Sequence, residues 1–366
     1  MSFVFAFLII VLMGLYVCRQ YPKETLADRR FRVASIAFHA AGLLSLFLLF
    51  LLYRFLPEGA LQNGVLLVSS VYFVQICCMG LLYLLLNAIR WLLKKAGRTV
   101  LRKKFTHIVV FAVSLFVALL GFVNSLHLSV TAYDVTIDKP CALPKLDVVV
   151  ITDLHLGAGM TSTELTQAVQ QTNAEKPDVV LIVGDLIDET TSAKLAEDAA
   201  RQLSELQSVY GVYFAPGNHD SKSSQSIDTL LAAAGITKLD NDATLLAGAV
   251  NLVGQSCETR QTVDAILAER GMDERRPTIV MQHIPRQLQQ LADSGADLIL
   301  CGHTHGYHYP FGGVVLQLWN DLVYGQRRYG DTLAITSSGA AAWGFHYKYA
   351  SDDEIVVLHL RLNGEE

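Results

Sequence analysis

The chain has 366 residues, of which 52% are hydrophobic and only 17% charged, and its mean hydropathy is +0.35. Soluble domains carry about 25% charged residues, so this balance argues against a wholly soluble chain and excludes a disordered protein, a collagen-like repeat and a disulfide-stapled miniprotein. The net charge of −5 is unevenly spread: residues 1–133 hold 13 Lys and Arg against 3 Asp and Glu, and the remainder holds 16 against 31. An acidic second part is a poor partner for nucleic acid, whose phosphates call for Lys and Arg. The six cysteines form no CxxC pair, which leaves a zinc ribbon or a redox motif without support.

Four uncharged apolar runs open the chain, at 1–18, 35–53, 64–89 and 108–126. Each is close to or above the roughly 18 residues at which a membrane-spanning helix is the default reading. The first lacks both a preceding basic residue and a small-residue cleavage site, so it reads as an uncleaved helix rather than a signal peptide. The 19–34 loop carries Arg19, Lys23, Arg29, Arg30 and Arg32, and the 90–107 loop carries Arg90, Lys94, Lys95, Arg98, Arg102, Lys103 and Lys104. The intervening loop has only Arg54. Positive loops stay cytoplasmic, which places the N-terminus and everything after residue 127 on the other side. His39, Gln75 and Asn87 lie within the runs and read as polar groups bonded between helices. Residues 1–127 are therefore expected to be an all-α membrane domain of four helices serving as an anchor in a bilayer, in a bacterial plasma membrane.

From residue 128 the pattern changes to short β-rich runs alternating with amphipathic segments. Strands are expected at 146–151, 179–183, 211–215, 250–253, 278–281 and 298–300, then at 313–319, 332–337 and 354–361. Helices are expected after Thr161-Ser162-Thr163-Glu164, which has capping-box spacing, and near 192–208, 224–234, 261–270 and 285–293. The pattern predicts a layered α/β domain over 128–366 built on one sheet or two packed sheets.

Polar clusters follow the strands: Thr152-Asp153-Leu154-His155, Gly184-Asp185, Gly217-Asn218-His219-Asp220, Gln282-His283 and Gly302-His303-Thr304-His305. Each falls just past the C-terminal end of an apolar strand, where open α/β sheets build their sites. Asp, His and Asn supply oxygen and imidazole donors suited to divalent ions such as Mn, Fe or Zn. Asp153, His155, Asp185, Asn218, His283, His303 and His305 are too many for one catalytic ion that keeps an open position. Asp185 on a glycine turn can bridge two ions, and paired ions about 3.5–4 Å apart activate water for in-line phosphoryl displacement. Any one cluster alone is a weak signal; the ordered set is a specific one.

That ordered set resembles the calcineurin-like metallophosphoesterase family over residues 128–366. The resemblance implies a four-layer α/β/β/α sandwich with a dinuclear metal centre. It implies that Asp153, His155, Asp185 and His305 hold one ion, and that Asp185, Asn218, His283 and His303 hold the second. It also implies that His219 is a catalytic histidine outside the ligand set, contacting phosphate and protonating the leaving oxygen, with Asp220 orienting it. The stretch Ser337-Ser338-Gly339-Ala340-Ala341-Ala342-Trp343-Gly344 looks like a membrane-linked subgroup of phosphodiesterases and transmembrane metallophosphoesterases. Tyr307-His308-Tyr309-Pro310 departs from the usual glycine-rich continuation.

The function expected is a membrane-anchored phosphoesterase with two divalent ions, Mn first and Fe, Zn or a mixed pair otherwise, in which a bridging hydroxide attacks phosphorus. The short span between the last apolar run and Asp153 favours a lipid-linked or envelope phosphoester. The apolar stretch 311–324 could face acyl chains, although inward strand residues account for most of it. Hydrolysis of UDP-2,3-diacylglucosamine in lipid A synthesis is the alternative enzyme, and a phospho-ligand-binding receptor or scaffold is the alternative without turnover.

Overall fold

A computed structural model describes residues 2–21, 26–56, 60–97, 103–257, 261–306, 316–344, 346–349 and 351–362. The chain divides into two compact units, one of Met1–Asn124 with Phe345–Tyr347 and one of Ser125–Gly344 with Lys348–Glu366.

The first unit is helical: α1 (Ser2–Gln20), α2 (Leu26–Leu52), α3 (Ala60–Lys95) and α4 (Lys103–Asn124). Three segments, Arg29–Leu49, Leu61–Lys95 and Phe105–Asn124, are long and apolar enough to cross a membrane by length and composition, while α1 enters as the shorter apolar helix Phe7–Gln20 among the described residues. Large apolar side chains point outward, Leu12, Phe105 and Phe116 among them, a surface suited to hydrocarbon rather than water. Polar groups inside pair across helices, as in Ser45 with Ser69 at 2.8 Å and Tyr83 with His107 at 2.8 Å. His39 is buried with Nε2 at 3.4 Å from the Tyr21 hydroxyl, whereas the Gln75 amide, also buried, has no hydrogen-bond partner among the described residues. The basic loops are shorter than expected, because the helices outrun their apolar cores. Arg29, Arg30 and Arg32 lie in α2, and Arg90, Lys94 and Lys95 in the last turns of α3, where long cationic side chains can reach the interface. Lys23, Arg98 and Arg102 lie outside the described residues.

The second unit holds two six-stranded sheets. The first contains β1 (Leu128–Ile137), β2 (Lys145–Ile151), β3 (Val179–Val183), β4 (Val212–Ala215), β5 (Thr237–Lys238) and β12 (Asp353–Leu362), in the order β1-β12-β2-β3-β4-β5. The second contains β6 (Asp242–Leu246), β7 (Val250–Gly254), β8 (Thr278–Met281), β9 (Leu298–Cys301), β10 (Gly325–Tyr329) and β11 (Thr332–Thr336), in the order β10-β11-β9-β8-β7-β6. Parallel pairing joins β2, β3 and β4 in one sheet and β7, β8 and β9 in the other, so each set ends at one edge of its sheet. Strand β3, Val-Val-Leu-Ile-Val, is buried throughout, as a central parallel strand covered on both faces must be.

Alternation along the strands builds the layers. Val148, Val150 and Leu181 face Leu252, Ile279, Leu300 and Ile335 between the sheets. Val149, Ile151, Val180 and Ile182 point the other way, onto Leu165 and Val169 of α5 (Ser162–Ala174), Ala199 and Leu203 of α6 (Ala193–Leu203), and Leu230 of α7 (Ile227–Ala234). Val253, Val280 and Ile299 meet Val263 and Ile266 of α8 (Val263–Glu269) and Leu291 of α9 (Leu288–Asp293). The result is the expected α/β/β/α sandwich. Helix α5 opens with the expected capping box, Thr161 and Glu164 bonding each other's backbone N–H. Of the strand expected at 313–319, residues 316–319 form a helical turn instead, and 313–315 lie outside the described residues. The apolar pattern there reflects one buried side of a turn, with Leu322 and Val323 inward and Leu318 and Trp319 exposed. Tyr307-His308-Tyr309-Pro310 also lie outside the described residues.

Candidate metal centre

The loops leaving β2, β3, β4, β8 and β9 converge. Two groups of side chains bring their donor atoms within 4.8 Å of one another: Asp153, His155 and His305, and Asp185, His283 and His303. Asp185 lies between them, with Oδ2 at 3.6 Å from His155 Nε2 and 2.9 Å from His283 Nε2. Asp153 Oδ1 is 3.8 Å from His155 Nε2, 3.7 Å from His305 Nε2 and 3.9 Å from His283 Nε2. Gly217, next to Asn218 in sequence, packs onto the second group: a Cβ there would lie 2.2 Å from Asp185 Oδ1. A Cβ on Gly302 would lie 2.2 Å from Asp153 Oδ2, so both turns need glycine for close approach.

The backbone at the site is unusual. Asp153, His155, Asp185, His303 and His305 all have positive φ, of 55°, 42°, 54°, 73° and 52°. Side-chain-bearing residues adopt this region at a cost and keep it only where the surroundings impose it. Here the bracing is visible. His155 N–H donates to the Asp185 carbonyl at 2.9 Å, Ala341 N–H to the Asp153 carbonyl at 3.1 Å, and His303 N–H to the Asp153 carboxylate at 3.0 Å.

Ring orientation is fixed from behind. His283 Nδ1–H donates to the Val183 carbonyl at 2.8 Å and His305 Nδ1–H to the Ala341 carbonyl at 3.1 Å, which turns each Nε2 toward the centre. His155 Nδ1 faces Asp188 Oδ2 at 3.3 Å. Asp188 escaped the sequence reading; an acid three residues past Asp185 was the available signal.

Nε2 of His155 and Oδ1 of Asn218 are buried without a hydrogen-bond partner among the described residues, and Nε2 of His283 faces Asp185 Oδ2 at 2.9 Å. Buried polar atoms are otherwise almost always bonded, and an unpartnered imidazole nitrogen facing two buried carboxylates fits a cation. The electrostatics agree. Burial opposes charge on His283, but the Asp185 and Asp153 carboxylates outweigh it and push its pKa up to about 10. His155 is raised in the same way, with burial overcome by Asp188, Asp185 and Asp153. Burial, together with the charge on His283, pushes His303 down to about 3. A site that draws a proton between its carboxylates draws a divalent ion by the same field.

His219 stands beside both groups, its ring centroid 5.1 Å from that of His155 and 5.2 Å from that of Trp343. The expected orienting role of Asp220 is corrected. The Asp220 carboxylate accepts backbone N–H bonds from Asp185, Leu186, Ile187 and Gly217 at 2.7–3.1 Å, which occupies it in stapling two turns together. Glu189 takes the position at the ring instead, its Oε2 lying 3.1 Å from His219 Nδ1.

Residues 146–307 match the profile of the calcineurin-like phosphoesterase family, so the chain carries a metallophosphoesterase domain. An uncharacterized metallophosphoesterase of Helicobacter pylori is 32% identical over 238 residues, 61% of this chain and 63% of that protein. One from Campylobacter jejuni is 26% identical over 98% of both chains. A Bos taurus protein described as a transmembrane protein with metallophosphoesterase domain is 28% identical over 80% of this chain and 72% of its own.

Proposed function

We propose that the protein is a membrane-anchored, metal-dependent phosphoester hydrolase. Residues 1–127 would form a four-helix membrane domain and 128–366 the catalytic domain. The observation that carries this reading is the pair of buried donor groups with Asp185 between them and His219 alongside. Asp153, His155, Asp185 and His305 would hold one divalent ion, and Asp185, Asn218, His283 and His303 the other, with Mn the first choice for this mixed donor set. When bound, such a pair supplies an acidified water and neutralises charge on the phosphoryl oxygens.

The chain's own residues do the rest. His219 contacts the phosphoryl group and gives a proton to the departing oxygen, and Glu189 fixes the ring through Nδ1. Trp343, 38% exposed beside that ring, forms an apolar wall on the leaving-group side and favours an organic ester over a bare phosphate. Exposed Leu318 and Trp319 and the apolar helices support a lipid-linked or envelope substrate. The excess of Lys and Arg between the first and second and between the third and fourth helices supports an extracytoplasmic domain, and therefore disfavours a cytoplasmic UDP-linked lipid.

Hydrolysis of bis-p-nitrophenyl phosphate with added Mn tests the reading. Wild-type turnover that needs the metal and disappears in Asp185→Ala is the expected result. Stoichiometric metal binding with no turnover on any phosphoester would instead make the protein a phospho-ligand-binding module.

A further inference from the structure

Lys348 is fully buried, its side chain having 0% exposure. Its Nζ donates to the Ser338 carbonyl at 2.6 Å and to the His305 carbonyl at 3.3 Å, and lies 3.2 Å from Asp353 Oδ1. A buried ammonium is heavily unfavourable unless several partners compensate it, and replacing such a pair by apolar residues is often neutral for stability. Stability alone therefore explains this arrangement poorly, and its placement suggests a purpose.

Two of these partners are main-chain carbonyls close to one candidate ligand. His305 and Gly306 are consecutive left-handed residues, with φ of 52° and 60°, so the carbonyl between them is turned out of any regular hydrogen-bond ladder. Lys348 grips that carbonyl. Ser338, whose carbonyl it also bonds, belongs to the segment that continues to Ala341. Ala341 accepts the His305 Nδ1–H at 3.1 Å and donates its own N–H to the Asp153 carbonyl at 3.1 Å. One ammonium thus joins the strained main chain of His305 to the segment that orients the His305 ring and braces Asp153. Asp353, at the head of β12 in the first sheet, anchors the ammonium to the core.

We propose that Lys348, held by Asp353, is a positioning residue that sets His305 for the ion of the Asp153–His155–His305 group. This rests on the two-ion reading above and adds to it a residue outside the ligand set that controls one ion rather than both.

The test uses the full-length protein in detergent, loaded with Mn, with metal per chain measured by mass spectrometry across a chelator series. Wild type should hold two ions. Lys348→Met should release one of them about 10–100-fold more readily, the scale typical of supporting residues, while the ion at Asp185, His283 and His303 stays. Because Lys348→Met also leaves the Asp353 carboxylate unpaired, the double variant Lys348→Met/Asp353→Leu separates the effects. It should regain the wild-type Tm and still lose the same ion. A double variant that holds both ions with wild-type affinity would overturn the proposal. Wild type that binds no ion would overturn the two-ion reading first, and this inference with it.

Discussion

At the scale of single residues, the acid role proposed for His219 can be separated from metal binding. His219 has its Nδ1 committed to Glu189 and its ring packed between His155 and Trp343, which suits an acid better than a ligand. His219→Ala should therefore keep both ions and lower kcat by about 10²–10⁴-fold; loss of metal in that variant would make His219 a ligand. Partial burial works against the charge on Glu189, but the hydrogen bond from His219 prevails and holds its carboxyl below the usual range. A lowered folded pKa means that the contact contributes in full above the unfolded value of about 4.3 and is lost as pH falls through the folded value. As pH falls from about 5 through the folded value, the stability of Glu189→Gln should accordingly fall less steeply than that of wild type, as followed by thermal unfolding.

At the scale of elements, the site is a product of where strands stop. A methyl group at Gly302 would meet Thr152 Oγ1 at 2.1 Å and Asp153 Oδ2 at 2.2 Å. Gly302→Ala should lower stability by about 1–3 kcal/mol and displace the Asp153 carboxylate, read out as a lower Tm and weaker metal retention. Strands β2, β3, β8 and β9 were legible because parallel strands buried on both faces leave continuous apolar runs, and the polar clusters after them announced which side chains would converge. Strand β10, Gly-Gln-Arg-Arg-Tyr, was not legible, since an exposed edge strand carries charge rather than apolar signal. Nor was β1, which begins within a few residues of the end of α4 and alternates between half-buried and exposed positions until Val135 and Ile137 enter the core. Asp188, Glu189 and Lys348 were missed for another reason. Asp188 and Glu189 meet His155 and His219, 30 or more residues away in sequence, and Lys348 meets the carbonyls of His305 and Ser338, which only the folded chain presents.

At the scale of the whole molecule, an apolar helical unit and an acidic α/β unit share one chain. The charge bias of the helix ends predicts that alkaline phosphatase fused after Glu366 is active in a bacterial host and that a fluorescent protein fused there stays dark. The opposite pattern would place the site in the cytoplasm and bring the UDP-linked lipid forward as substrate.

The left-handed backbone at five of the candidate ligands has a consequence for how the protein tolerates change. Each such residue costs about 1–2 kcal/mol that glycine would not incur, so selection for abundance and selection for activity pull in opposite directions there. At His303 and His305, the least enclosed of the five, variants sorted for expression level alone should enrich glycine, whereas variants sorted for phosphoester turnover should exclude it. Retention of histidine at those positions in a functional screen would then measure how much stability the chain gives up to keep its site.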